Sequence, residues 1–196
     1  MKIQFGAGHN PLPGWVNRDK ECNIARPLPF AEHSASHVFA EHVIEHVALS
    51  GGIAFLRECL RILKPGGVLR VAFPDVTRID DADPAVAFMS EQLERASIPG
   101  KRGARDCWLA IMTRWGHQSC WTQGSMRRAL LAVGFESVEQ CLYADSAHAP
   151  LRGIEGHHKV TSLESAILQT TILEATAPNQ AQAQALLLSQ AARATG

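Results

Sequence analysis

The chain has 196 residues, 46% of them apolar and 19% charged. That balance fits one globular domain with a full core and excludes a disordered chain. Lys plus Arg and Asp plus Glu both number 19, so the formal net charge is zero, which argues against a partner gripped through nucleic-acid phosphates.

In chain order, residues 2–5 (Lys-Ile-Gln-Phe) predict a short strand, broken at once by Gly6 and Gly8. Pro11, Pro13 and Gly14 forbid a helix just afterwards. A second short strand is expected at residues 15–17, with Asp19 at its end. Arg26-Pro27-Leu28-Pro29-Phe30 reads as an extended connection, and residues 37–40 as a third strand running into a helix. Between Ile53 and Leu63, Phe55, Leu56, Cys59, Leu60 and Leu63 recur at three- and four-residue spacing, which predicts the clearest helix. Lys64 is expected in its last turn and Pro65-Gly66-Gly67 as its stop. Residues 68–73 follow as an apolar strand ending at Pro74-Asp75. Residues 76–122 are less regular and carry Trp108, Trp115 and Trp121. A helix is expected at 124–133, stopped by Gly134, then strands at 135–143 and 170–175. Residues 178–196 read as a terminal helical tail with Asn179 as its cap, whereas 146–165 show no clear pattern.

Alternating strands and helices predict an α/β layered fold, one domain over residues 1–196. No apolar run approaches the roughly 18 residues that span a bilayer, and no apolar signal segment precedes the first glycines. Five cysteines lie at wide spacings without a CxxC. Reduced thiols, a cytoplasmic location and no membrane contact are therefore expected.

Gly6-Ala7-Gly8 closes the first strand, where open parallel sheets bind ligands and where glycines let backbone approach them closely. By itself the pattern reads equally as a tight structural turn. Asp19 falls at the end of the next strand, where a carboxylate can accept from both hydroxyls of a ribose; the alternative is a solvated loop carboxylate.

Phe5-Gly6-Ala7-Gly8 with Gly14-Trp15-Val16-Asn17-Arg18-Asp19, then Glu41-His42-Val43-Ile44-Glu45-His46, then Leu56 to Gly67 with Pro74-Asp75, together resemble a class I S-adenosylmethionine-dependent methyltransferase of the small type 11-like kind. Ala132-Val133-Gly134-Phe135 is similar to that family's late helix–strand corner. The resemblance implies a Rossmann-like three-layer sandwich, mostly parallel, with an antiparallel last strand. It implies S-adenosylmethionine as cofactor, with Gly6, Ala7 and Gly8 along its methionine part, Asp19 on the ribose, Asn23 and Ile24 near the adenine, and Glu41 and His42 near the methionine end. Residues 76–122 would then build an acceptor pocket. The sequence departs from the pattern at Gln4, Asn10 and Asn23, and the stretch between Gly8 and Asp19 leaves no room for the usual first crossover helix.

His42, Glu45 and His46 stand at i, i+3 and i+4, one face of a helix if residues 42–48 are helical. Three readings compete. The favoured one borders a methyl-donor pocket without metal. A second binds a divalent metal through His42, Glu45, His46 and His117, similar to O-methyltransferases with a Glu-x-x-Glu-His string at this place. A third, the H-x-x-E-H zinc-peptidase helix, is disfavoured because Leu49-Ser50-Gly51-Gly52 is expected to interrupt the helix. On the acceptor side, His117 is the candidate base or fourth metal ligand, and His46 is the second catalytic candidate. Arg102, Arg105 and Arg114 could attract an anionic acceptor, and a metal shared by His157 and His158 is not expected of adjacent residues.

The expected function is in-line methyl transfer to a small-molecule acceptor, with no nucleic-acid partner, by a monomer or homodimer. The competing expectation is a methyltransferase fold that has lost catalysis and serves as a binding or sensor protein.

Overall fold

The computed structural model describes residues 1–78 and 115–179. The expected insertion at 76–122, with Arg102, Arg105, Arg114 and Trp108, falls mostly outside the described residues, as does the tail beyond Asn179. Six strands form one sheet: β1 (Lys2–Phe5), β2 (Val16–Arg18), β3 (Ala35–Glu41), β4 (Leu63–Pro74), β5 (Ser137–Cys141) and β6 (Thr170–Thr176). Their order is β2-β1-β3-β4-β6-β5. β1 to β4 pair in parallel, and β6 runs antiparallel to both of its neighbours. This is the expected α/β sheet with its antiparallel late strand.

Side-chain alternation along the central strands separates two cores. Val38 and Ala40 of β3, with Leu69, Val71 and Phe73 of β4, face helices α1 (Leu49–Ile62) and α2 (Gln123–Val133). Helix α1 contributes Phe55, Leu56, Cys59 and Ile62, all fully buried. On the other face, Phe39 and Val68 pack on Leu151, Ile154, Leu12 and Trp15. These four residues come from the first loop and from the segment around the 3-10 turn Ala149–Leu151.

Three local expectations are corrected. Leu49-Ser50-Gly51-Gly52 does not interrupt α1 but forms its first turn. Gly52 is needed there because a Cβ would stand 2.9 Å from the Trp121 ring and 3.3 Å from Ile44. Lys64 is not in the helix: α1 ends at Ile62, and the chain turns directly into β4. Residues 42–48 are not one helix either. His42 has φ 50, Ile44–His46 form a single 3-10 turn, and Val47 is extended.

β2 lies parallel to β1 although only residues 6–15 connect them, without a helix. Two buried or half-buried amides hold this loop. Gln4 Nε2 donates to the Asn10 carbonyl at 3.1 Å, and Gln4 Oε1 accepts from Leu12 N–H at 3.0 Å. Asn17 Oδ1 also accepts from Leu12 N–H, and its Nδ2 donates to the carbonyls of Leu12 and Trp15. A carboxylate at position 4 could accept but not donate, which explains the glutamine.

Arg70, fully buried in β4, joins the sheet to the loop that covers it. It donates from Nε to Glu155 Oε1 at 2.5 Å and from an Nη to Glu174 Oε1 at 2.6 Å. It also reaches the carbonyls of Asp145 and Leu142. Asp75, just after β4, is 1% exposed and accepts from Thr77 N–H and Oγ1, Thr171 Oγ1 and the first N–H of α2 at Gln123. The Pro-Asp corner thus fastens α2 to the sheet.

Candidate functional site

The parallel strands β1, β2 and β3 end side by side, and their C-terminal ends carry the residues singled out in the sequence. At the end of β1, Gly6 has φ 70, and a Cβ there would sit 2.1 Å from Val43 Cγ2. Only glycine lets the turn lie against the segment after β3. Ala7 is buried and donates its N–H to the Arg18 carbonyl of β2 at 3.0 Å. Gly8 is exposed at φ 46. Asp19 is half-buried after β2, and its backbone N–H rather than its carboxylate bonds Glu21. Asn23 is exposed and bonds Ala25 N–H through Oδ1, whereas Ile24 is buried in the core.

Glu41 ends β3, and its carboxylate accepts from Gly156 N–H at 2.7 Å and His157 N–H at 3.2 Å. The loop 154–159 therefore crosses the end of β3. It also touches the first loop: Asn10 Nδ2 reaches the Ile154 carbonyl, and Lys159 Nζ bonds Asn10 Oδ1. These contacts give Asn10 a structural role.

His42, in its left-handed conformation, stacks on His157 with ring centroids 3.6 Å apart. Its Nε2 meets Thr170 Oγ1 at 3.2 Å, and its Nδ1 lies 3.1 Å from Glu45 Oε1. Burial, and the charges of His42, His117 and His158, push His157 down to about 3, so its imidazole is neutral. His158 turns away to the Tyr143 hydroxyl at 3.1 Å. The two adjacent histidines serve different neighbours, as expected of residues pointing apart.

Glu45 is 1% exposed. Burial pushes its carboxyl up, but the hydrogen bond and charge of His42, its own backbone and His46 outweigh this and hold it below the ordinary value. The turn that carries Glu45 and His46 is fastened to residues 117–121 from far along the chain. Gln118 and Ser119 N–H both donate to the Glu45 carbonyl, at 2.8 and 3.1 Å. Gln118 Nε2 donates to the His46 carbonyl and Ser119 Oγ to the Ile44 carbonyl. Trp121, 2% exposed, braces Ser119 through its indole N–H. His117 is thereby brought edge-on to His46, centroids 4.8 Å apart. Glu45, His46 and His117 offer ligand atoms all within 4.8 Å of one another.

The helical argument for His42, Glu45 and His46 on one face fails, yet the structure gathers Glu45, His46 and His117 by a tertiary route. His42 stays near through Glu45. Sequence reasoning weighed His157 only beside His158, and it missed Thr170 and the Gln118–Ser119 clamp, because each acts across more than seventy residues. Trp115 is half-exposed, whereas Trp121 is core, so the two do not form one aromatic wall.

Residues 14–71 match a family model described as a methyltransferase domain. The match covers β2, β3, α1 and most of β4, with Asp19, Asn23, Ile24, Glu41, His42, Glu45 and His46 inside it. An S-adenosylmethionine-dependent methyltransferase from Mesorhizobium loti shares the fold at 15% identity and a TM-score of 0.51, covering 89% of each chain. The CurJ carbon methyltransferase aligns at 13% identity and 0.51, covering 91% of this chain and 48% of its own. The CMeT domain structure of the citrinin polyketide synthase aligns at 14% and 0.50, with 91% and 46% covered. This chain thus spans about half the length of the last two. No curated protein matches it. Residues 14–71 thus match a methyltransferase-domain model, and the six-stranded sheet as a whole shares its fold with solved S-adenosylmethionine-dependent methyltransferases.

Proposed function

We propose that the chain transfers the methyl group of S-adenosylmethionine to a small-molecule acceptor. The observation that carries this reading is the convergence of Gly6–Gly8, Asp19 and the Glu41–His46 segment at the C-terminal ends of adjacent parallel strands, the ligand-binding edge of such sheets. The residues present fit the cofactor. Gly8 is exposed, and among the described residues only the Gly6 carbonyl, at 4.0 Å, comes near the place of a Cβ. Asp19 keeps its carboxylate off Glu21.

When bound, the cofactor supplies an electrophilic methyl group on a sulfonium. The Gly6-Ala7-Gly8 turn holds its methionine part, Asp19 accepts from the ribose hydroxyls, and the exposed Asn23, with the backbone of the core residue Ile24, flanks the adenine. Glu41 contributes through its backbone, because its carboxylate is already taken by Gly156 and His157. His42 shapes the methionine end. His117 and His46 stand on the acceptor side, where an imidazole whose ring nitrogen holds no metal can take the acceptor's proton. In-line transfer then depends on holding the acceptor against the methyl carbon and excluding water.

Calorimetric titration with S-adenosylhomocysteine tests this. The folded protein is expected to bind it, and Asp19→Ala is expected to weaken binding by about 10- to 100-fold, the loss of two hydrogen bonds. No binding at millimolar ligand overturns the reading. Binding without turnover on any acceptor supports the alternative of a non-catalytic sensor.

A further inference from the structure

Glu45 poses an electrostatic problem that the methyl-transfer reading does not use. Its carboxylate is 1% exposed, and among the described residues Oε2 has no hydrogen-bond partner. Among the described residues its ion-pair contact is His42, on Oε1 alone; no lysine or arginine reaches it. Burying an ionised carboxylate with one oxygen unserved costs several kcal/mol or more unless further positive charge or donors arrive. Two imidazoles, His46 and His117, flank the same place, their ligand atoms and those of Glu45 all within 4.8 Å of one another. The backbone clamp described above fixes the two segments that carry them.

We propose that Glu45, His46 and His117 form a three-ligand site for a divalent transition-metal ion, with His42 as the outer residue that holds the carboxylate. Two histidines and one carboxylate are a donor set shared by catalytic zinc and non-haem iron sites. Bond lengths of about 2.0–2.1 Å at tetrahedral angles set neighbouring donors about 3.4 Å apart. The present spacing is thus an open form that closes by an ångström or so, within reach of two half-buried histidine side chains. A ligating carboxylate is ordinarily held by an outer partner, and the His42 Nδ1 contact on Glu45 Oε1 supplies one while leaving Oε2 for the ion. Three protein ligands leave coordination positions open, the pattern of a catalytic rather than a structural site. His42 is therefore not a ligand, which distinguishes this set from the four-residue arrangement expected from the sequence.

The test is metal binding by the full chain, read without any methyl acceptor. Protein stripped with chelator is titrated with Zn²⁺ by calorimetry, and with Co²⁺ by visible absorption. One equivalent of each is expected, with d–d bands and no thiolate charge-transfer band, because no cysteine is in the set. His46→Ala and His117→Ala are each expected to weaken binding by at least 100-fold, while the exposed His9→Ala leaves it unchanged. His42→Ala is expected to weaken it by about 10-fold, the range for an outer partner. Circular dichroism on each variant confirms folding. Should Glu45→Gln misfold, the His46 and His117 variants decide alone. Absence of stoichiometric binding, a thiolate band, or unchanged affinity in both His46→Ala and His117→Ala overturns the proposal. The S-adenosylhomocysteine titration is a separate readout, so metal binding without cofactor binding sinks the methyl-transfer reading and leaves the metal site standing.

Discussion

Arg70 shows what one residue can determine. In the apolar run 68–73 of β4 it is fully buried, and two carboxylates, Glu155 and Glu174, reach it at 2.5 and 2.6 Å. Glu174 is its direct cross-strand neighbour on β6, whereas Glu155 comes from the loop that covers the sheet. Removing the guanidinium would leave two buried negative charges facing each other. Arg70→Met is expected to destabilise the protein by about 3–5 kcal/mol, more than its apolar packing restores. Urea denaturation at neutral pH measures this, and a loss below about 1 kcal/mol would mean that the pair contributes little. Charge at this position is legible in the sequence, but burial is not, since a strand arginine is usually solvated.

At the scale of elements, the first loop is the most demanding piece. A parallel pair with so short a connection has no helix to bury between its strands, so its polar backbone must be satisfied locally. Gln4 does this with both ends of its amide. Gln4→Glu keeps the size and the acceptor but loses the donor, and sets a 2%-exposed carboxylate against the Asn10 carbonyl. The expected cost is about 2–4 kcal/mol at pH 7. Burial raises the carboxyl's pKa in the fold, so the gap from the parent should narrow as pH falls and the group protonates. An equal gap at pH 7 and pH 5 in paired denaturation curves would count against this account. The lack of room for a crossover helix was readable from Pro11, Pro13 and Gly14. The amide clamp was not, because hydrogen bonds to loop backbone leave no periodic trace. Helix α1 teaches the converse: its apolar spacing from Ile53 is plain, but Gly51-Gly52 reads as an interruption until Trp121 is seen packed against the missing Cβ.

At the scale of the whole molecule, one partly buried histidine couples stability to pH. His157, in the late loop that crosses the end of β3, is pushed down to about 3 from an ordinary 6.5, chiefly by burial. Between those values the unfolded chain binds a proton that the folded one refuses. Stability therefore rises with pH across this window, and is lost as pH falls below about 6.5, by up to about 1.4 kcal/mol per pH unit for one proton. In chelator-treated protein, His157→Gln should flatten that slope. A Tm-against-pH profile unchanged by the substitution would show that other groups set it.

The sequence by itself determined the succession of the six strands and of α1 and α2, the helix–strand unit ending at Pro74-Asp75, the Gly6-to-Gly8 turn and the carboxylate at the end of β2. These are local: hydrophobic period, turn residues and breakers act within one element or its junction. The short helix Leu163–Gln169 left no clear pattern. The sequence also drew attention to His42, Glu45 and His46, on a helical spacing that the chain does not adopt, and to His117 in the stretch expected on the acceptor side. Only the tertiary structure decided which of them meet. Gln118 and Ser119 hand their N–H groups to Glu45, more than seventy residues away, and so set His117 beside His46. His42 is instead turned toward Thr170, His157 and Glu45. A site assembled from the ends of separate elements is fixed by where the sheet brings those ends, and that register is a property of the packed whole.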